Sequence, residues 1–130
     1  MSVTHIDFGE FAAKLLSSEA EIDWRMSAGR SYYGAFHRAQ LSVHLCPDNE
    51  NLRYASHERV SDRFMRHKTM PARSIAYVLQ GMKKIRSVAD YELGDNFTQK
   101  EAVNQEATYQ VLVKKLDEFD TASNPKSAIS

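Results

Sequence analysis

Two side chains in the most aromatic stretch of the chain are of the types that move protons and steady negative charge. Arg30 and His37 stand within Ala28-Gly29-Arg30-Ser31-Tyr32-Tyr33-Gly34-Ala35-Phe36-His37-Arg38-Ala39. If this stretch is helical, seven positions turn the chain through roughly 700° and return the two to nearly one face, about 10 Å apart along the axis. Histidine titrates near neutrality and can take or give a proton, and arginine carries fixed charge suited to the crowded oxygens of a phosphorane. Cleavage of a phosphodiester through a neighbouring ribose hydroxyl needs these two functions and neither a metal nor a protein nucleophile. A homodimer packing its two long helices together would place two such pairs around one groove. The same residues have structural alternatives: Arg30 as the partner of acidic neighbours, and His37 as a satisfied interhelical histidine.

Other side chains have narrower readings. Tyr32 and Tyr33 could stack nucleobases or build core. His57 shares a helix side with Val60 and Phe64, which points to a core or interface histidine. Arg86 and Asp90 stand one turn apart with Tyr91 following, the spacing of an ion pair closing a helix. His37 and His44 are two turns apart, poorly placed for one ion, so no metal site is expected. Cys46 is the only cysteine, which excludes an internal disulfide and a cysteine-ligated cluster. No motif calls for a cofactor.

The 130 residues suit one domain, and 26% charged with 42% hydrophobic residues is the composition of a soluble globular protein. No apolar run approaches the ~20 residues that cross a bilayer, and residues 1–7 lack a charged-then-apolar signal layout, so a cytoplasmic protein is expected. Net charge is zero, but its distribution is uneven. Residues 53–86 hold nine Lys or Arg against two acids, Glu58 and Asp62, and both flanks are acidic. A neutral protein with a basic middle can present a positive face to an anion such as RNA phosphate. Arg63, Arg66, Lys83, Lys84 and Arg86 are the candidates for that face. Its plainer reading is a solvated surface paired with the acidic flanks.

Positioning these residues falls to helices. Five glycines, three prolines and no hairpin dipeptide between alternating runs predict almost no sheet. Phe8, Phe11, Ala12, Leu15 and Leu16 predict a first helix over 8–18, with Asp7 as N-cap. Ser18 and Glu21 resemble a capping box opening a long second helix over 19–45, its apolar side marked by Ile22, Met26, Tyr33, Phe36, Gln40 and Val43. Ser56 suits the cap of a third helix over 56–67, with His57, Val60, Ser61 and Phe64 on one side. Pro71 suits the first turn of a fourth, striped by Ile75, Val78, Leu79, Met82 and Ile85. Thr98 and Glu101 form a capping box for a fifth, which carries Val103, Ala107, Val111, Leu112, Leu116 and Phe119. The expectation is one all-α, five-helix, up-and-down-type bundle over 1–120, its second helix long and central, with a fraying tail over 121–130.

Arg30-Ser31-Tyr32-Tyr33-Gly34-Ala35-Phe36-His37-Arg38-Ala39 resembles the signature of HEPN-domain proteins (higher eukaryotes and prokaryotes nucleotide-binding). The likeness is to a prokaryotic branch whose second helix reads Ser/Gly-Arg-x-Tyr-Tyr-x-x-Phe-His-x-Ala. His57 followed by Phe64, then Arg86-Ser87-Val88-Ala89-Asp90-Tyr91, then an amphipathic helix beginning near Glu101 agree in order and spacing. The resemblance spans about residues 20–119 and implies the same five-helix, all-α fold. It also implies an RNA-associated role. Many such domains are metal-independent endoribonucleases acting as homodimers, with an Arg and a His separated by four to six residues and a polar residue beside the Arg. Arg30 and His37, with Ser31 next to Arg30, meet that pattern and stand as the implied catalytic pair. The resemblance further implies a toxin or defence setting and a minimal nucleotidyltransferase partner. The alternative within the family is a non-catalytic module binding nucleotide or RNA phosphate, or that partner.

Overall fold

Caps and a proline set the helix starts in the computed structural model, which describes residues 2–48 and 56–123. Five α-helices and one short 3-10 turn appear among them, with no strand: α1 (His5–Leu15), α2 (Glu21–Gln40), the 3-10 turn Val43–Leu45, α3 (Ser56–Arg66), α4 (Met70–Tyr91) and α5 (Gln99–Ala122). The fold is the expected all-α, five-helix bundle.

Local details differ from expectation for identifiable reasons. Asp7 is not the cap of α1 but the third residue of its first turn. Thr4 accepts from the Ile6 amide, and Asp7 returns a bond to the Thr4 amide at 2.8 Å. Ser18 does not box with Glu21. Its hydroxyl donates to Asp23 at 2.5 Å and Glu21 is taken by Arg25, so α2 begins after Ala20 with no side-chain cap. At its other end α2 stops at Gln40 and tightens into the 3-10 turn, short of the expected 45. Thr69 caps α4 with Pro71 in the first turn, and Thr98 with Glu101 forms the box that opens α5. The cap expected of Ser56 lies outside the described side chains. Helix α5 continues through Thr121 and Ala122, and residues 124–130 lie outside the described chain.

Helix α2 packs against α1, α4 and α5. It does so through a face of small residues, Ser27, Ala28, Gly29, Ser31, Gly34, Ala35 and Ala39, all buried. Small side chains let helix axes approach, and the gap is filled from outside. The Tyr109 ring lies so close to Gly34 that a Cβ there would stand 2.9 Å from it and 3.3 Å from the His5 carbonyl oxygen. The same ring abuts Gly9, where an added Cβ would overlap it. Tyr32, Phe36, Phe64, Ile75, Leu79, Met82, Tyr109, Leu112, Leu116 and Phe119 form the main core.

This arrangement corrects the apolar stripes: Phe11 of α1 and Ile85 near the end of α4 are exposed, and the larger departures are on α2 and α5. Ile22 and Met26 are exposed, because the close-packing face of α2 lies to one side of them. On α5, Val103, Ala107 and Val111 face out while Ala102, Gln105, Glu106 and Tyr109 are buried. Polar bonds orient α5 this way: Gln105 Nε2 donates to the Met82 carbonyl at 2.9 Å, and Ser31 donates to Glu106 at 2.6 Å.

Candidate functional site

Three arginines lie along α2, and their surroundings separate them by role. Arg25 is buried and closes the end of α4. Its guanidinium donates to the carbonyls of Ala89 at 2.9 Å, Glu92 at 3.2 Å and Asp95, while Nε meets Glu21 at 3.0 Å. Those of Ala89 and Glu92 are carbonyls that a helix end leaves unsatisfied, and that of Asp95 belongs to the turn that follows. Arg38, also buried, donates to Asp117 at 2.9 Å, Asp120 at 2.7 Å and Ser42 at 2.9 Å, tying α2 to the end of α5. Arg30 lies between them, half-buried, and has neither carboxylate nor hydrogen-bond partner among the described residues; its Nε is buried and unsatisfied. What holds it is aromatic: its guanidinium carbon stands 4.9 Å from the Tyr33 ring centroid and 5.8 Å from that of Phe8.

A second cation converges on the same ring. Arg86, from α4, stands 5.3 Å from the Tyr33 centroid and donates to the Tyr33 hydroxyl at 2.8 Å. It also lies 5.8 Å from the Tyr91 ring, with Nε 3.0 Å from Asp90 in an ion pair too poorly angled to count as a hydrogen bond. Two guanidiniums and one carboxylate around Tyr33 leave positive charge uncompensated, with guanidinium donors unspent at Arg30. Planar donor forks without an acid partner suit phosphate oxygens.

His37 lies beyond Phe8. Its ring meets Phe8 at 5.2 Å and Phe36 at 5.4 Å, and no hydrogen bond holds either ring nitrogen among the described residues. It opens on a cleft of about 420 Å³ shared with Thr4, His5, Phe8, Gln40 and Leu41. Arg30 does not line that cleft. The two residues therefore share a face of α2, as their spacing implies, but Phe8 stands between them.

His57 is half-buried rather than core. Its ring stacks on Phe36 at 4.1 Å, meets Tyr33 edge-on at 5.7 Å, and shares a hydrogen bond of 2.6 Å with the Tyr32 hydroxyl. Burial, and then the charges of Lys83, Arg86 and His37, push its pKa below the ordinary 6.5 and favour its neutral form. Burial raises Tyr32 well above the usual phenol range. Lys83 stands 3.6 Å from Glu58, and Lys84 is exposed on α4. Arg63 and Arg66 have their described partners elsewhere. Arg63 donates to the carbonyls of Cys46 and Pro47, and Arg66 pairs with Asp62 at 2.6 Å. Cys46 is buried, and its thiol is pushed up to about 11 by that burial.

Phe8 beside the pair, and Arg25 and Arg38 as clamps, could not be read from spacing, because the groups that define these roles lie on other elements. Nor did spacing reveal the cluster of His5, Glu106 and Tyr109. There Tyr109 donates to the His5 carbonyl at 3.0 Å, and its hydroxyl, pushed up to about 12 chiefly by burial, lies 2.8 Å from His5 Nδ1. Among the described residues no group of three or more His, Cys, Asp or Glu is placed to hold a metal ion, and no helix is long and apolar enough to cross a membrane. Comparison with protein-family models, curated proteins and solved structures finds no match to this chain.

Proposed function

We propose that this chain is an RNA-associated protein of HEPN type, in which Arg30 and Arg86 grip backbone phosphate over Tyr33 and His37 moves protons in a metal-independent cleavage. The observation that carries the reading is Arg30: the other two arginines of α2 with described roles are fully tied, whereas this one keeps its donors free beside a second guanidinium. In such a cleavage the ribose 2′-oxygen forms a bond to phosphorus and the bond to the 5′-oxygen breaks. A proton leaves the 2′-hydroxyl to a general base and one reaches the leaving 5′-oxygen from a general acid. One histidine cannot be both at once, so a second copy of the chain would supply the other. Ile22 and Met26, exposed on the same helix as Arg30 and His37, and Leu41 just past its end give that copy an apolar surface to bury.

Purified protein should cut RNA in the presence of a chelator and leave 2′,3′-cyclic phosphate ends. His37→Ala should abolish cutting while the protein stays folded and still binds RNA. Full activity in that variant, or no cutting of varied RNAs by well-folded wild type, overturns the catalytic part.

A second reading is favoured by Phe8, which separates Arg30 from His37. Under it the chain is a non-catalytic module that binds RNA or nucleotide phosphate, or a nucleotidyltransferase partner in a toxin or defence pair. Arg30→Ala would then weaken binding with no turnover to lose. Binding should fall steeply as salt rises, with a shallower slope in the variant.

A further inference from the structure

The groove between α3 and α4 adjoins the Tyr33 cluster, and its chemistry differs from that of the cluster. It has a volume of about 290 Å³ and is lined by His57, Ser61, Met65, Gln80 and Lys83, together with the acids Glu58 and Asp62. His57 belongs to both places, since its ring meets Tyr33 edge-on at 5.7 Å and also lines the groove. Lys83 and Arg86 stand on the same helix three residues apart, so the groove begins one turn from the guanidinium over Tyr33.

Charge within the groove is balanced where charge around Tyr33 is not. Lys83 lies 3.6 Å from Glu58, and Asp62 pairs with Arg66 at 2.6 Å. A second phosphate would meet two carboxylates there and gain nothing. A neutral polar group meets different surroundings. The Gln80 amide and the Ser61 hydroxyl have no described hydrogen-bond partner, the Met65 side chain offers a polarisable apolar wall, and His57 has one ring nitrogen engaged by the Tyr32 hydroxyl at 2.6 Å. An amide presents a donor and an acceptor side by side, which is the complement of a base edge. The volume falls near the ~300 Å³ lower end of small-ligand pockets, which suits one base rather than a whole nucleotide.

We infer that the α3–α4 groove is a nucleobase subsite. It takes the base attached to a phosphate held at Arg30 and Arg86, with Gln80 the residue that reads the base edge. The inference rests on the phosphate-binding part of the proposed function and adds base selectivity, which that reading does not require.

The test uses the full chain and three fluorescein-labelled 2′-O-methyl hexaribonucleotides, of A, of C and of U, which lack the attacking hydroxyl and cannot be cut, with binding followed by anisotropy at one fixed salt concentration. Wild type should separate the best from the worst by about fivefold or more, the low end of what a lost pair of base-edge bonds removes. Gln80 is exposed on α4, so Gln80→Ala leaves the core untouched. In that variant the three affinities should converge to within about twofold, the best falling toward the worst. Arg30→Ala should instead lower all three by a similar factor and keep their ratio. If wild type binds all three equally, or if Gln80→Ala leaves the ratio unchanged, the subsite is wrong and phosphate binding stands. If no hexamer binds, both the subsite and the RNA reading fail.

Discussion

Arg25, Arg30 and Arg38 have the same side chain on one helix and three different fates. Removing Arg25 strips donors from the carbonyls of Ala89, Glu92 and Asp95, and Arg25→Ala should cost about 2 kcal/mol or more in urea unfolding. Arg30→Ala removes no hydrogen bond among the described residues and should shift stability by only about 1 kcal/mol, between the worth of an exposed and of a desolvated cation–π contact, while weakening RNA binding. Near-equal loss of stability in the two variants would mean that Arg30 is structural. Asp90→Asn is the complementary change. It frees Arg86 from its carboxylate and should tighten phosphate binding severalfold by filter binding, whereas weaker binding would make Asp90 a positioning residue. The aligned face of Arg30 and His37 and the turn-spaced Arg86–Asp90 pair were legible in the sequence, because both follow from position along one helix. The carbonyls of Ala89, Glu92 and Asp95 that Arg25 holds and the carboxylates of Asp117 and Asp120 that Arg38 holds were not, since they lie 64 or more residues away on other elements.

At the scale of elements, the caps show where local chemistry decides and where tertiary bonds override it. Thr98 and Glu101 were readable as a box because both spend their oxygens on the first turn of α5. Ser18 and Glu21 have the same spacing, but Asp23 and Arg25 compete for them successfully. The apolar stripes of α2 and α5 misled for a related reason. Counting Ile, Met and Val finds the buried face only when large side chains do the packing, and in α2 glycine, alanine and serine do it. Gly34 tests that account. Gly34→Ala gains helix propensity but pushes a methyl into the Tyr109 ring and the His5 carbonyl, so it should destabilise by about 1–3 kcal/mol in thermal or urea melts. Gly81, with open space around it, should instead gain up to about 1 kcal/mol as alanine. A stabilising Gly34→Ala would show that Tyr109 can step aside.

For the whole molecule, buried titratable groups set the response to pH, and they pull in opposite directions. His5 and His57 have folded pKa values below 6.5, so the unfolded chain binds protons first as pH falls. Their contribution is intact above 6.5 and is lost as pH drops from there to their folded values. Glu106 has a folded pKa above 4.5 because burial outweighs the bonds from Ser31 and Gln110. The folded state therefore keeps its proton longer, and stability is lost as pH rises from 4.5 through that folded value. Glu106→Gln should raise the melting temperature most at neutral pH and little below pH 4.5, provided the amide keeps its bonds to Ser31 and Gln110. A melting temperature that falls equally at both pH values would show that the carboxyl oxygens, not their charge, are what the site needs. None of these three groups could be ranked from the sequence, because the burial of His5 and Glu106 comes from packing among α1, α2 and α5, and that of His57 from packing of α3 on α2.

The Tyr109 ring seated against Gly9 and Gly34 also has a consequence in time. Helices α1 and α2 are neighbours in sequence and can pair early, but the notch between them is filled by a residue about seventy-five positions after Gly34. A growing chain would therefore carry the α1–α2 hairpin with an open notch until α5 is made. In the finished protein the same wedge ties α1 to α5, so the amides of the first and last helices should open to deuterium together, as one cooperative unit.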